Sequence, residues 1–501
     1  MKRLIVTAVT GVAMAFTAVN APAATAAPPG AITWGPCDVP WLVAAGAQCG
    51  MLDVPMDYRR PDGKRIQLAV SRVRHTSPDS AFQGVITTLP GGPGQSGLGM
   101  SALGPLLPGH AGDTYDWIGF APRGVGTSKP ALTCDPGYMD YDRPSYVPST
   151  PQLEQAWLGR VRGYAAACAA RNDPDLLANM KTTDTVADLE SLRVALGVST
   201  MSFYGYSYGT YVGQVYATLH PERVRRMVLD SNVAARDVYY RLNLDESPGF
   251  DRNLNLFLGW VASHDDVYHL GRTLAAVQAV FDAQLAKLAR HPAAGMVGPD
   301  EWLDIFQQAS YGQPNWTLLG SVFAGWVNAG DGETLKALFE EVGGRGDDNA
   351  YAAYLAVECT DTQSPVNWNK WRADTWQAFP KAPYFAWQNT WYNAPCAFWG
   401  TGAGKPVDVG SRGLGSLLLI DETLDAATPY EGSLETRGRF PNSALIAVPG
   451  GTSHANTLRG NACVDDKIAK YLTDGTLPAR QPGKRSDVDC APLPLPDPGA
   501  S

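Results

Sequence analysis

Gly205-Tyr206-Ser207-Tyr208-Gly209 sets a serine between two glycines at G-x-S-x-G spacing. A serine so placed sits on a tight turn from strand to helix. The glycines let neighbouring elements approach, and the turn thrusts the hydroxyl outward where a base can reach it. The N-terminus of the following helix stabilises negative charge developing there. The chemistry this allows is acyl transfer through a covalent serine intermediate. With 52 glycines in the chain the pattern alone is weak. Its context carries it: residues 201–204 read as a strand and 208–220 as a helix.

A serine nucleophile of this kind needs an acid and then a histidine later in the chain. Seven histidines are available, at 75, 110, 220, 264, 269, 291 and 454. His220 lies in a His-Pro pair that ends the serine's own helix, and the next three fall in a helical stretch. His454 follows a strand at 444–448 in the loop Gly450-Gly451-Thr452-Ser453, so it is the expected base. The strand at 417–420 runs into Asp421-Glu422-Thr423-Leu424-Asp425, where three carboxylates compete. Asp425 is favoured, because it stands before the Thr428-Pro429 that opens the next helix, and Asp421 is the runner-up. The acid's role is to hold the imidazole tautomer and stabilise its cation. Two backbone N–H groups must meet the developing oxyanion. Tyr208 and Gly92, in Pro90-Gly91-Gly92-Pro93-Gly94, are the expected donors.

These residues need a scaffold. Residues 64–74 alternate as a half-buried strand, and 84–89 and 115–120 read as strands ending in Gly-rich turns. From 84 to 230 strand and helix alternate, the pattern of a parallel sheet covered on both faces. Residues 236–400 are rich in Trp, Tyr, Ala and Leu and read as helical, and strands return at 417–420 and 444–448. The expected architecture is α/β, a mostly parallel sheet with helices on both faces and an inserted, mainly helical cap. The division is 1–28 signal peptide, 29–235 core, 236–400 cap and 401–501 remaining core. The proline-rich tail after Cys490 is expected to be extended.

Composition sets the class. The chain has 501 residues, 45% hydrophobic and 18% charged, enough for a large core. A net charge of -9 without a basic stripe excludes nucleic acid as a partner. Lys2 and Arg3, the apolar run 4–19 and the small residues at 21–26 read as an export signal. No later stretch is apolar enough to span a bilayer, so the mature chain is expected to be extracellular, without a membrane anchor, and monomeric. Eight cysteines in an exported chain suggest disulfides. The simplest pairing joins sequence neighbours: Cys37–Cys49, Cys134–Cys168, Cys359–Cys396 and Cys463–Cys490. No metal-ligand spacing occurs, and the chemistry needs no metal or organic cofactor.

The ordered set Pro-Gly-Gly-Pro-Gly (90–94), Pro-Arg-Gly-Val-Gly-Thr-Ser (122–128), Gly-Tyr-Ser-Tyr-Gly-Thr (205–210), Asp-x-x-Thr-Pro (425–429) and a late histidine resembles the secreted bacterial tripeptidyl aminopeptidases. These are α/β-hydrolase serine peptidases related to the proline iminopeptidases. The resemblance runs over nearly the whole mature chain. It implies an exopeptidase that reads a free peptide N-terminus beneath a helical cap. This chain departs from the pattern at Leu89-Pro90, at Ala121, where relatives often carry Asp, and at Gly-Thr-Ser-His before the base. A free amine calls for a carboxylate in the cap, and Glu358 and Asp361, beside Cys359, are the candidates. The alternative function is an esterase or lactonase of the same fold, acting on a small acyl substrate with no need of an amine pocket.

Overall fold

A computed structural model of the chain describes residues 30–499. The expected export signal lies outside the described residues. Ten strands form one sheet: β1 Gly35–Pro36, β2 Gln48–Pro55, β3 Arg65–Val73, β4 Val85–Leu89, β5 Asp116–Phe120, β6 Met201–Tyr206, β7 Val224–Asp230, β8 Leu417–Glu422, β9 Ser443–Val448 and β10 Val488–Asp489. Their spatial order is β1-β2-β3-β5-β4-β6-β7-β8-β9-β10. The pairs from β1 to β5 through β2 and β3 are antiparallel, and every pair from β5 onward is parallel. This is the α/β-hydrolase arrangement.

The central strands are apolar on both faces, as covered parallel strands must be. Phe203, Leu229, Leu419 and Leu445 face the helices Thr182–Ala195 and Tyr208–Leu219, meeting Val186, Leu189, Val212 and Tyr216. Their neighbours Tyr204, Val228, Leu418 and Ile446 face the opposite way, onto Val464, Ile468 and Leu472 of the helix Ala462–Asp474. The period of two puts one residue of each pair on each face.

Strands β7 and β8 pair directly, yet residues 231–416 run between them. This segment is mainly helical and builds an aromatic core of its own, with Phe257, Phe281, Trp302, Phe306, Phe323, Trp387 and Trp391. Two helices depart from a division by chain position. Pro151–Arg171, between β5 and β6, gives Trp157 and Val161 to the cap core, with Trp157 stacked on Trp391 at 5.5 Å. Asn349–Asp361, from within the helical segment, gives Tyr351, Leu355 and Cys359 to the sheet's core. Packing, not contiguity, decides membership, because each helix buries whichever face is apolar against the nearest apolar surface.

That second helix is tied at both ends. Asp348 accepts from Thr133 Oγ1 (2.8 Å), the N–H groups of Cys134 (2.7 Å) and Asp135 (2.6 Å), and the Tyr164 hydroxyl (2.9 Å). Asn349 bridges Gly124 and Leu132 carbonyls and the Gly126 N–H. Asp361 closes the other end on the Thr182 N–H (2.6 Å). Four disulfides join 37–49, 134–168, 359–396 and 463–490, each between sequence neighbours.

Candidate active site

Ser207 stands between β6 and the helix Tyr208–Leu219 with φ 55° and ψ -124°. A non-glycine residue pays for that backbone, and close packing maintains it. A Cβ on Gly205 would lie 2.7 Å from the Gly209 carbonyl oxygen, and one on Gly209 would lie 2.4 Å from the Leu89 oxygen. Neither position admits a side chain, which is why both glycines of the motif are needed. The Ser207 N–H donates to the Asp230 carbonyl (3.1 Å), and Thr210 Oγ1 donates to the Ser207 carbonyl (2.6 Å).

The loop after β4 closes on the serine. Gly91 is buried, and a Cβ there would lie 2.7 Å from Ser207 Cβ and 3.8 Å from the Tyr208 nitrogen. Gly92 follows with φ 104° and Gly94 with φ 100°, backbone that glycine alone adopts without strain. A Cβ on Gly94 would strike the Ala350 carbonyl at 2.2 Å, so this loop is seated directly beneath the helix Asn349–Asp361. The Tyr208 hydroxyl is bonded to Thr182 Oγ1 (2.9 Å), which fixes the first turn of the helix that follows Ser207.

His454 Nδ1 lies 2.7 Å from Asp425 Oδ2. Asp425 is buried and also accepts the Ala427 N–H (2.9 Å), the Thr428 N–H (3.1 Å) and the Thr428 hydroxyl (2.9 Å). Burial alone would push this carboxyl up, but the His454 charge and these hydrogen bonds hold it below the usual range. Burial alone would lower His454, and the Asp425 charge and hydrogen bond raise it above its ordinary value. Bonded through Nδ1, the ring keeps Nε2 for a reacting group.

Asp421, four residues earlier, does not meet His454. It is fully buried, its Oδ2 accepts from the Ser433 hydroxyl (2.5 Å), and its Oδ1 has no partner. Burial and the Asp425 charge push it well up. Glu422 turns the other way and grips the histidine loop, taking the Ser453 N–H (2.6 Å) and Asn456 Nδ2 (2.8 Å). The cap holds the same loop from above: the His454 N–H donates to the Tyr311 carbonyl (2.8 Å), and the two rings lie 5.9 Å apart. His220 ends a helix of 12 residues, about 18 Å long at 1.5 Å per residue. It lines a separate cavity of about 620 Å³ with Tyr58 and Glu190.

The two cap carboxylates singled out from sequence differ. Asp361 accepts the Thr182 N–H, the Thr182 hydroxyl (2.5 Å) and the Tyr239 hydroxyl (2.9 Å). Three of its roughly four acceptor sites are taken by Thr182 and Tyr239, so it ties the end of its helix to these neighbours. Glu358 is buried, its Oε2 accepts from Asn243 Nδ2 (2.9 Å), and burial pushes its carboxyl up to about 8. A third acid, unremarked in the sequence, joins it. Glu246, on the helix Tyr240–Ser263, is only half-buried, yet desolvation and then the charges of Glu358 and Asp425 push it well up. It is thus within electrostatic reach of both Glu358 and Asp425. Its one sequence signal is Pro248, which interrupts the helix just beyond it.

Arg123, in the second Gly-rich loop, is wholly buried. It pairs with Asp188 (2.7 and 2.8 Å) and donates to the Met56 and Asn179 carbonyls, a structural role beneath the site. Among the described residues, no group of three His, Cys, Asp or Glu side chains could hold a metal, and no helix is long and apolar enough to cross a membrane.

Residues 382–490 match the family model described as TAP-like protein. The chain is 38% identical over 479 residues to a tripeptidyl aminopeptidase of Streptomyces lividans, covering 93% of this chain and 88% of that one. It is 29% identical to the serine protease Hip1 of Mycobacterium tuberculosis, covering 89% of each. A Mycobacterium tuberculosis protein named carboxylesterase B is 30% identical, covering 89% of this chain and 86% of that one.

Proposed function

The chain belongs to the family of the tripeptidyl aminopeptidases, serine peptidases of the α/β-hydrolase fold, and from that premise we propose that it releases short peptides, tripeptides foremost, from free N-termini. In this reading Ser207 is the nucleophile, His454 the base and Asp425 the acid that orients it. His454 Nε2 takes the Ser207 proton as the oxygen attacks the scissile carbonyl, and the oxyanion is met by the N–H groups of Tyr208 and Gly92. The imidazolium then protonates the leaving amine, and water, activated by the same ring, releases the acyl peptide from Ser207.

The observation that carries the free-amine reading is the pair of cap acids Glu246 and Glu358. Both are raised chiefly by desolvation, and Glu246 further by the charge of Glu358; a cation relieves such a pair, and a peptide ammonium is that cation. Glu358 and Glu246 would hold the N-terminus while Ser207 stands at the bond to be cut. The proposal includes export, since four disulfides suit an oxidising compartment. The esterase reading keeps the same three catalytic residues and draws on the relative named carboxylesterase B.

One panel separates them: aminoacyl, dipeptidyl and tripeptidyl anilides, their N-acetyl forms and a short acyl ester, assayed with the wild type, Ser207→Ala, Glu246→Gln and Glu358→Gln. The proposal expects Ser207-dependent cleavage of free-amine substrates, best at three residues, and a raised KM for these alone in the two glutamine variants. Equal cleavage of N-acetyl peptides, or preference for the ester, overturns the aminopeptidase reading.

A further inference from the structure

We infer that Asp230 is a positioning residue that holds Ser207 and His454 in register from a strand belonging to neither. The inference rests on Ser207 and His454 acting as nucleophile and base. Asp230 is the last residue of β7, buried to 3% exposure, and none of the motifs includes it. Its backbone carbonyl accepts the Ser207 N–H at 3.1 Å. Its Oδ2 accepts both the N–H (3.0 Å) and the hydroxyl (2.8 Å) of Thr457, three residues beyond His454. The next residue, Ser231, completes the clamp: its Oγ accepts the Ala455 N–H (2.8 Å) and donates to Asp230 Oδ1 (3.2 Å). One dipeptide thus holds main chain on both sides of the reaction, on the serine turn and immediately after the histidine.

The backbone explains why a clamp is needed there. Ser207, Ser231, Ala455 and Leu458 all have positive φ without being glycine, at 55°, 65°, 53° and 62°. Such conformations persist only where surroundings over-determine them. Asp425 orients the ring of His454 through Nδ1, but nothing in that contact sets the height of the loop that carries the ring. Glu422 and the Tyr311 carbonyl hold residues 453–456 of that loop, and the Asp230 carboxylate holds its far side through Thr457, which the Tyr204 hydroxyl backs at 2.6 Å.

The carboxylate also faces His454 electrostatically. Around the imidazole stand Asp425 from the loop after β8 and Asp230 from β7, with Asp421 and Glu422 behind them and Glu246 and Tyr311 on the cap side. The Asp230 charge favours the imidazolium, so its removal lowers the pH at which His454 becomes a free base.

The test uses the rate at which a fluorophosphonate labels Ser207, beside peptide-anilide kinetics and thermal melting, in Asp230→Asn, Asp230→Ala, Thr457→Val and the Asp230→Ala/Thr457→Val double variant. Ser207→Ala is the control: labelling of that variant would overturn the nucleophile reading itself, whatever Asp230 does. With that control clean, labelling and kcat are expected to fall about 10²-fold in Asp230→Ala, the cost of a small misplacement, with KM little changed. The acid limb of kcat/KM moves to lower pH in Asp230→Asn, and the double variant is no slower than Asp230→Ala, as one shared contact requires. Wild-type labelling in a folded Asp230→Ala, a loss confined to KM, or strictly additive losses in the double variant overturns the inference. Should Asp230→Ala fail to melt cooperatively, Thr457→Val and Asp230→Asn decide alone: wild-type labelling rates in both overturn it, and slowed labelling with the shifted limb sustains it.

Discussion

Gly91 and Ser207 are in contact so close that a methyl group on Gly91 would lie 2.8 Å from the Ser207 hydroxyl oxygen. In the proposed mechanism the glycine marks the edge of the space in which the tetrahedral intermediate forms. Gly91→Ala is therefore expected to fold, since its backbone is not in the left-handed region, but to lose activity by about 10²-fold, the scale of a displaced nucleophile or a lost oxyanion donor. Circular dichroism with anilide kinetics checks it; activity near wild type would show that the serine has room to move.

Asp425 and Asp421 separate cleanly by substitution. Asp425→Asn leaves His454 Nδ1 facing the wrong partner and is expected to lower kcat about 10⁴-fold. Asp421→Asn removes a buried carboxyl with an unpartnered oxygen, so activity persists and stability at neutral pH holds or rises. Side-by-side kcat and Tm measurements decide between the two acids.

Glu358 links stability to pH. Its folded value, near 8, lies above its usual 4.5, so the native state retains a proton that the unfolded chain releases. The stability it contributes is complete below about 4.5 and lost as pH rises through 8. Glu358→Gln, which cannot ionise, is expected to gain Tm relative to wild type steadily across that window. A Tm difference independent of pH would mean that Glu358 is not held protonated.

The Cys359–Cys396 bridge closes 37 residues of chain beside Glu358. Loop-closure entropy sets its contribution at about 4 kcal/mol in the chain-entropy model. Replacing both cysteines by serine is expected to lower Tm and, on the proposed reading in which the wall it braces binds the peptide amine, to raise KM for free-amine peptides more than it lowers kcat. Equal effects on kcat and KM would place the bridge's influence on the serine instead.

The elements that carry Ser207 and His454 were legible because they obey local rules. A G-x-S-x-G turn needs a strand before it and a helix after it, and β6 and Tyr208–Leu219 are continuous enough to read from composition. The choice among Asp421, Glu422 and Asp425 was harder. Three acids within five residues differ only in which way the loop turns, and the Thr428 and Ala427 amides that seize Asp425 act at short range within that turn. Glu246 was not legible at all. Its place depends on the helix Tyr240–Ser263 crossing the acid loop, where Gly249 packs on Ala426 and Asn253 bonds the Leu424 carbonyl (2.9 Å), contacts spanning more than 170 residues. The partners of Asp361 were hidden for the matching reason, since Thr182 and Tyr239, which engage it, lie far off in the chain. The same applies to Trp157, whose partner Trp391 belongs to a segment on the other side of two strands.

The helix Asn349–Asp361, bolted to the 124–135 loops at one end and to Thr182 and Cys396 at the other, carries both a face of the serine loop and the acid Glu358. A bar fixed at both ends does not swing. The wall that this helix sets against the serine-side loop at Gly94 therefore keeps one position, and a substrate must fit it rather than move it. On the proposed aminopeptidase reading, the span from Glu358 to Ser207 then gauges product length as a standing ruler does.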